Sequence, residues 1–491
     1  MNRALSRVSL VCLAMFVLLL LNINYVQAFE ASSLASKPGN VRTFDQQFTY
    51  QRGAIIANGG GADVKIAESR LVKGTDTYRR YYPYGSLYAP VTGYDSIYGS
   101  SGLEAAESKY LSGTASSLQV HNLISLLTGK PQRGSTVYTT ISPKAQQAAY
   151  AALQASGHPA AAVAIDPKTG AILALASYPT FNPNKFTTLD GAKLDRIDKR
   201  YLKEPSQPLL NRAINETFPP GSTFKIVDSS AAFSTGKVAN PQTTIDAPEP
   251  LILPQTTTVL HNDDDEVCGD GHPAISYAFA LSCDTAFGKL GMELTGPVLQ
   301  QYADRFGAND QHLTIPMPVT PSVVPRVTVP AYTAYTAIGQ YNDAVTPLQE
   351  AMFAAAIANG GRLMRPYLVQ QVQAPDLSVL GTATPRVLSD PVSAKVADYV
   401  KQMMIDVTTQ PEGTAYLTAN PSVAGVEIAG KTGTAQNGIN NNGLDDAVFT
   451  CFAPANNPKI AVGVIVKEGG YGADAAAPIA VKIIQAYLGI K

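Results

Sequence analysis

The apolar residues of this chain fall into runs of three kinds, each predicting a different element. The first kind is the run 8–29, almost wholly apolar over its first two-thirds and preceded by Arg3 and Arg7. About 20 apolar residues span a bilayer as a helix. Cations before the run, with none soon after it, place the N-terminus in the cytoplasm and the remaining chain outside. Val26-Gln27-Ala28 also fits the small-residue cleavage site of a signal peptide. The reading taken is a retained single-pass anchor over residues 1–29, and on either reading the remainder is exported.

Runs of the second kind are short and apolar on both faces. Residues 162–165 and 171–175 flank Asp166-Pro167-Lys168-Thr169-Gly170, which is turn chemistry between two buried strands and predicts a hairpin. Runs 447–453 and 460–466 are rich in β-branched and aromatic residues and predict central strands. The third kind has helical spacing. Ser142 is placed to cap an Ala-rich helix over 143–153 with Pro143 at its first position. A second helix over 347–358 ends at Asn359-Gly360-Gly361, and a third over 477–487 turns Ile479, Val481, Ile484 and Tyr487 to one side. Two early strands, a helical middle, late strands and a closing helix describe an α+β layer with its first and last segments adjacent in one sheet.

Residues 30–138 follow a different pattern. Tyr81, Tyr82, Tyr84, Tyr88, Tyr94 and Tyr98 lie among Gly and Ser, which predicts a β-rich, loop-heavy region without a catalytic constellation. The expected organisation is therefore an anchor (1–29), a non-catalytic pedestal domain (30–138) and a larger domain (139–491).

Composition changes this picture only by exclusion. A chain of 491 residues has room for two or three domains. Charged residues make up 15% and the net charge is -1, so no basic surface for nucleic acid is expected. Four cysteines lack any C-x-x-C spacing and there are only five histidines, so neither metal nor cofactor is expected. Cys268 and Cys283 could bridge in an exported chain, and a buried free Cys283 is equally compatible with the sequence. The acidic stretch His261-Asn262-Asp263-Asp264-Asp265-Glu266 reads as a solvated loop rather than a metal site.

Three elements carry candidate chemistry. In Ser222-Thr223-Phe224-Lys225, preceded by Pro219-Pro220-Gly221, the apolar residues that follow predict a helix with Ser222 at its start. Three positions make nearly one helical turn, so Lys225 returns beneath Ser222. A free serine is a weak nucleophile and needs an adjacent base, which a buried lysine can supply. The same pattern recurs in Ser234-Thr235-Gly236-Lys237, where Gly236 suits a helix C-cap and the functional reading loses. The second element is Ser282-Cys283-Asp284 between two helix-compatible stretches. The third is Lys431-Thr432-Gly433-Thr434, before a Gly- and Asn-rich loop over 437–443. Lys168-Thr169-Gly170 duplicates the third but precedes Ser222, inside the hairpin turn.

In type, order and distance (282 − 222 = 60; 431 − 282 = 149) the three elements resemble those of the penicilloyl serine transferases, known by S-x-x-K, S-x-N and K-T-G. The resemblance extends through Gln51-Arg52-Gly53, residues 88–94, Gly102-Leu103-Glu104, residues 166–177, Leu210-Asn211-Arg212-Ala213, Gly339-Gln340 and Thr346-Pro347-Leu348-Gln349. It covers nearly the whole chain, and it is strongest toward the actinobacterial penicillin-binding protein A group of the class B penicillin-binding proteins, the peptidoglycan D,D-transpeptidases.

The resemblance implies a pedestal followed by a beta-lactamase/DD-peptidase-like domain, a five-stranded sheet flanked by helices. It implies that Ser222 attacks the penultimate D-alanine of a peptidoglycan stem peptide, that Lys225 takes its proton, and that Ser282 relays a proton to the departing D-alanine. Lys431, Thr432, Gly433 and Thr434 would hold the terminal carboxylate, with the amides of Ser222 and Thr434 as oxyanion hole. Beta-lactams would acylate the same serine. A membrane glycan polymerase as partner is likewise implied only by resemblance. The pattern breaks at Asp284, where the family usually has asparagine: an ionised aspartate accepts hydrogen bonds but cannot donate, and it favours protonated Lys225 and Lys431. Slower acylation and harmless drift are both compatible with that change. Two rival readings are a serine beta-lactamase, for which no deacylating carboxylate is evident, and a weakly active scaffold or beta-lactam sensor.

Overall fold

A computed structural model describes residues 3–30, 48–59, 61, 63–118, 132–436 and 443–490. The N-terminal run forms the helix Arg3–Tyr25, followed by one π-helical turn at Val26–Glu30. Within it Ser6–Tyr25, 20 residues of mean hydropathy 2.2 with none buried, is long and apolar enough to cross a membrane.

The Tyr-rich region contributes four strands, Ile55–Ala57, Val64–Leu71, Tyr78–Tyr81 and Thr136–Thr139, to a six-stranded sheet. The other two strands, Val369–Gln373 and Val379–Thr382, come from far along the chain: Val372 pairs with Val137 in antiparallel register. The pedestal sheet is thus completed by a hairpin from beyond residue 139. Beside this sheet lies an ionic cluster. Glu104, wholly buried, accepts from Arg52 Nε at 2.6 Å and Arg80 Nε at 2.5 Å, and both arginines are themselves buried.

The second sheet has five antiparallel strands in the order Ala429–Ala435, Asp446–Ala453, Ile460–Val466, Ala160–Ile165, Ile172–Tyr178. Val464 pairs with Ala162, so the first and last segments are adjacent as expected. The three middle strands are buried along their whole length, which explains why their sequences show no alternation. The helices Pro143–Ser156 and Ala477–Leu488 pack on this sheet and on each other, and Pro347–Ala358 packs against its middle strands. Gly463 allows that last approach, because a Cβ there would lie 2.5 Å from Ala351 N. The expected hairpin forms around residues 166–170. Ser142, however, makes no side-chain cap. Its amide donates instead to Leu173 O, tying the helix start to the sheet, and the helix runs on to Ser156 before closing at left-handed Gly157.

Candidate active site

The three sequence elements converge at the edge strand Ala429–Ala435. Gly221–Phe224 forms a 3-10 turn that runs directly into the helix Lys225–Thr235, so Ser222 sits one turn before Lys225 at the head of that helix. Gly221 is left-handed (φ 55°), its amide donates to Gly339 O at 3.0 Å, and a Cβ on it would lie 2.9 Å from Thr434 O and 3.3 Å from Thr434 N. This close approach puts the Ser222 turn against the backbone of Thr434. Gly433 is equally constrained, since a Cβ there would meet Pro220 O at 2.7 Å.

Ser282 supplies the link between the lysines. It is held at φ 65° in a region that non-glycine residues seldom occupy, at the junction of the helices Ile275–Ala280 and Asp284–Leu294. Lys225 Nζ donates to Ser282 O at 2.6 Å, Ser282 Oγ at 3.2 Å and Asp284 Oδ1 at 2.6 Å. Lys431 Nζ donates to Ser282 Oγ at 2.8 Å and to Thr432 O at 2.9 Å. The Ser222 hydroxyl donates to Asp284 Oδ1 at 3.4 Å. Serine, lysine, serine, aspartate and the second lysine therefore form one connected network, with Ser222, Ser282 and Asp284 at its half-buried side.

Both lysine side chains are completely buried. Burial pulls the Lys225 amine below the ordinary lysine value, outweighing the opposing pull of the Asp284 carboxylate. Lys431 is lowered further, by burial and then by the Lys225 charge, with Asp284 again opposing. Asp284 thus has the effect anticipated from its charge: it favours the protonated form of each lysine. Asp228, one turn beyond Lys225, is fully buried and pushed well above the carboxylate range by that burial, which favours its neutral form.

Cys268 and Cys283 are joined in a disulfide, resolving the alternative that the sequence left open and tethering the middle residue of the Ser282 element. The acidic loop is more than a solvated run. Asn262 Oδ1 accepts from the Thr285 amide at 3.0 Å, directly after Asp284, while His261 Nδ1 lies 2.7 Å from Glu249 Oε1. Sequence reasoning also missed Thr414, whose hydroxyl is 2.6 Å from that of Thr432. Both duplicate motifs are structural: Gly236 is a left-handed cap with Lys237 paired to Glu293 at 2.8 Å, and Lys168 donates to Asn457 at 3.0 Å. Residues 437–442 of the Gly- and Asn-rich loop lie outside the described residues.

The two-sheet fold and the grouping of these three elements fit the penicillin-binding class of proteins, and comparison with known proteins agrees. Residues 160–485 match the family described as Penicillin binding protein transpeptidase domain, and residues 52–137 match the Penicillin binding protein A dimerisation domain. The chain belongs to the penicillin-binding protein transpeptidase family. It is 40% identical to Peptidoglycan D,D-transpeptidase PbpA of Mycolicibacterium smegmatis and 38% identical to that of Mycobacterium tuberculosis, in each case over 99% of both chains. Among solved structures it resembles penicillin-binding protein A of M. tuberculosis in its ceftriaxone acyl-enzyme complex, with a TM-score of 0.85 and 37% identity over 90% of this chain and 99% of that one. The penicillin G acyl-enzyme complex of that protein gives a TM-score of 0.83 over 89% and 100%.

Proposed function

We propose that this chain is a membrane-anchored peptidoglycan D,D-transpeptidase that works through a Ser222 acyl-enzyme and binds penicillins covalently at the same residue. The observation that carries the reading is the network itself: a serine on a tight turn, one helical step before a buried lysine whose amine burial holds below its ordinary value. In this reading Lys225, in its neutral form, takes the Ser222 proton as the hydroxyl oxygen attacks the carbonyl of the penultimate D-alanine. The amides of Ser222 and Thr434 receive the developing oxyanion, supported by the contact of Gly221 with Thr434. Ser282, bonded to both lysines, passes a proton to the amine of the departing D-alanine. Lys431, Thr432, Gly433 and Thr434 hold the substrate carboxylate, with Thr432 steadied by Thr414. The amine of a second stem peptide then attacks the ester, closing the cross-link and freeing Ser222.

The proposed organisation keeps residues 1–29 as cytoplasmic tail and anchor, 30–138 as pedestal and 139–491 as an extracytoplasmic transpeptidase domain; a membrane glycan polymerase is its proposed partner. Asp284 tunes the base. Asp284→Asn removes the charge that favours protonated Lys225, so more of Lys225 is neutral near pH 7 and acylation by labelled benzylpenicillin speeds up. The expected gain is about tenfold for each pKa unit lost, with the rising limb of the pH–rate profile moved to lower pH. Equal rates for the two proteins across that profile would assign Asp284 no part in setting the base.

A further inference from the structure

Beneath the Ser222 turn lies an acid that none of the three motifs contains. Glu350, in the helix Pro347–Ala358, is completely buried. Its Oε1 is 2.9 Å from Thr223 Oγ1, and the Thr223 hydroxyl is 2.8 Å from Pro220 O. Glu350 Oε2 has no hydrogen-bond partner. Thr223, also fully buried, is the neighbour of Ser222, and its methyl group would lie 3.1 Å from a Cβ at Gly433. From the middle strand Asp446–Ala453, Thr450 Oγ1 donates to the backbone carbonyl of Glu350 at 2.6 Å. Helix, sheet and nucleophile turn therefore meet at this one residue.

A hydroxyl has one proton, so Thr223 cannot donate to Pro220 O and to a carboxylate at once. With Glu350 neutral the conflict disappears: the carboxylic O–H donates to Thr223 Oγ1, and Thr223 donates to Pro220 O. The carboxyl oxygen left without a partner is then a neutral carbonyl, far less costly to bury than a charge. Burial acts in the same direction, pushing Glu350 up to about 8 against the opposing hydrogen bond from Thr223. Of the elements packed against its helix, the strands Ile460–Val466, Ala160–Ile165 and Leu363–Met364 carry no titratable side chain. The others bring Cys451 and Asp446, Arg212, and, from the helix Ala394–Thr409, Lys395, Asp398, Tyr399, Lys401 and Asp406, while Lys225 lies two residues after Thr223; none of these contributes to the Glu350 shift.

We infer that Glu350, as a neutral acid, is a positioning residue for acylation: by donating to Thr223 it fixes the turn that carries the Ser222 hydroxyl and amide. This rests on the functional reading above, in which Ser222 is the acylated residue. Once Glu350 ionises, the carboxylate draws the Thr223 proton away from Pro220 O and the turn loosens.

The test is the acylation kinetics of the full chain in detergent with benzylpenicillin, resolved into the dissociation constant of the initial complex and the acylation rate constant k2. Glu350→Leu is expected to lower k2 about tenfold, the order of one buried hydrogen bond, leaving the dissociation constant unchanged. Glu350→Gln, whose amide N–H donates to Thr223 as the acid does, is expected to stay within about twofold of wild type at pH 7. Wild-type k2 should fall relative to that of Glu350→Gln as pH rises through about 8. Unchanged k2 in Glu350→Leu, a Glu350→Gln variant as slow as Glu350→Leu, or identical alkaline behaviour of Glu350→Gln and wild type would each overturn the inference. A wild-type chain that takes no penicillin at Ser222 would sink the functional reading, and this inference with it.

Discussion

Replacing Lys225 with methionine is expected to lower acylation by benzylpenicillin by about 10²–10⁴-fold, the usual worth of a positioned general base, while the protein remains folded. Methionine matches the reach of the lysine stem and suits a site that is already completely buried. What it removes is the amine that donates to Ser282 and Asp284, the group to which the proposed mechanism assigns the Ser222 proton. Asp284, whose side chain is 30% exposed, keeps access to water and is not left as a stranded charge. The rate of covalent labelling by a fluorescent penicillin measures the effect, with a thermal melt to confirm folding. A variant labelling within tenfold of wild type would mean that another group takes the proton.

The largest effect on stability is expected far from Ser222. Glu104→Ala leaves Arg80 buried without its carboxylate and Arg52 with only Asp95, 3.8 Å away, and breaking a buried ion pair in this way costs about 3–5 kcal/mol. Both guanidinium groups donate to Glu104, and Arg80 also donates to Gly53 O at 2.6 Å, so the cluster ties the strand Tyr78–Tyr81 and the segment leading into Ile55–Ala57 to the short helix Gly102–Ala106. Burial alone would raise the Glu104 carboxyl, but Arg80 and Arg52 outweigh it and hold the group below its usual value. A depressed carboxyl stabilises above its unfolded pKa and loses that contribution as pH falls through its folded pKa. The pedestal should therefore loosen in acid before the catalytic sheet does. Hydrogen exchange resolved by segment tests both points: in Glu104→Ala, protection of Val64–Leu71 and Tyr78–Tyr81 should drop at neutral pH with Ile460–Val466 unchanged, and in wild type the same two strands should lose protection before Ile460–Val466 as pH falls. Equal protection of the pedestal strands in variant and wild type would contradict the role given to the cluster.

How far the molecule was readable from its residues depended on the distance over which each signal acts. The hairpin around Asp166, the strands at 447–453 and 460–466 and the closing helix announce themselves in runs of a few residues, and all of them form. The Ser222, Ser282 and Lys431 elements were recognisable because each has its own local chemistry and their order is fixed. The pairing of Val369–Gln373 with the pedestal had no such signal: Val-Gln-Gln-Val-Gln is polar, and its partner lies more than two hundred positions earlier. Glu350 was hidden for a related reason. It is the one acid in a helix that is apolar apart from its neighbour Gln349, and the threonine that explains it is 127 positions away. For Cys268 and Cys283 the spacing permitted a bridge but could not choose it over a buried thiol; the choice depends on how the loop carrying Asn262 folds back onto Thr285.

The decisive measurement is mass spectrometry of the detergent-solubilised chain after incubation with benzylpenicillin, wild type beside Ser222→Ala. A stable adduct mapped to the peptide containing Ser222 and absent from the variant is the expected result. An adduct that persists in Ser222→Ala, or an unmodified wild-type protein with the antibiotic intact, would contradict Ser222 as the nucleophile. An unmodified protein with the antibiotic hydrolysed would instead reveal rapid deacylation, and so a hydrolase rather than a transpeptidase.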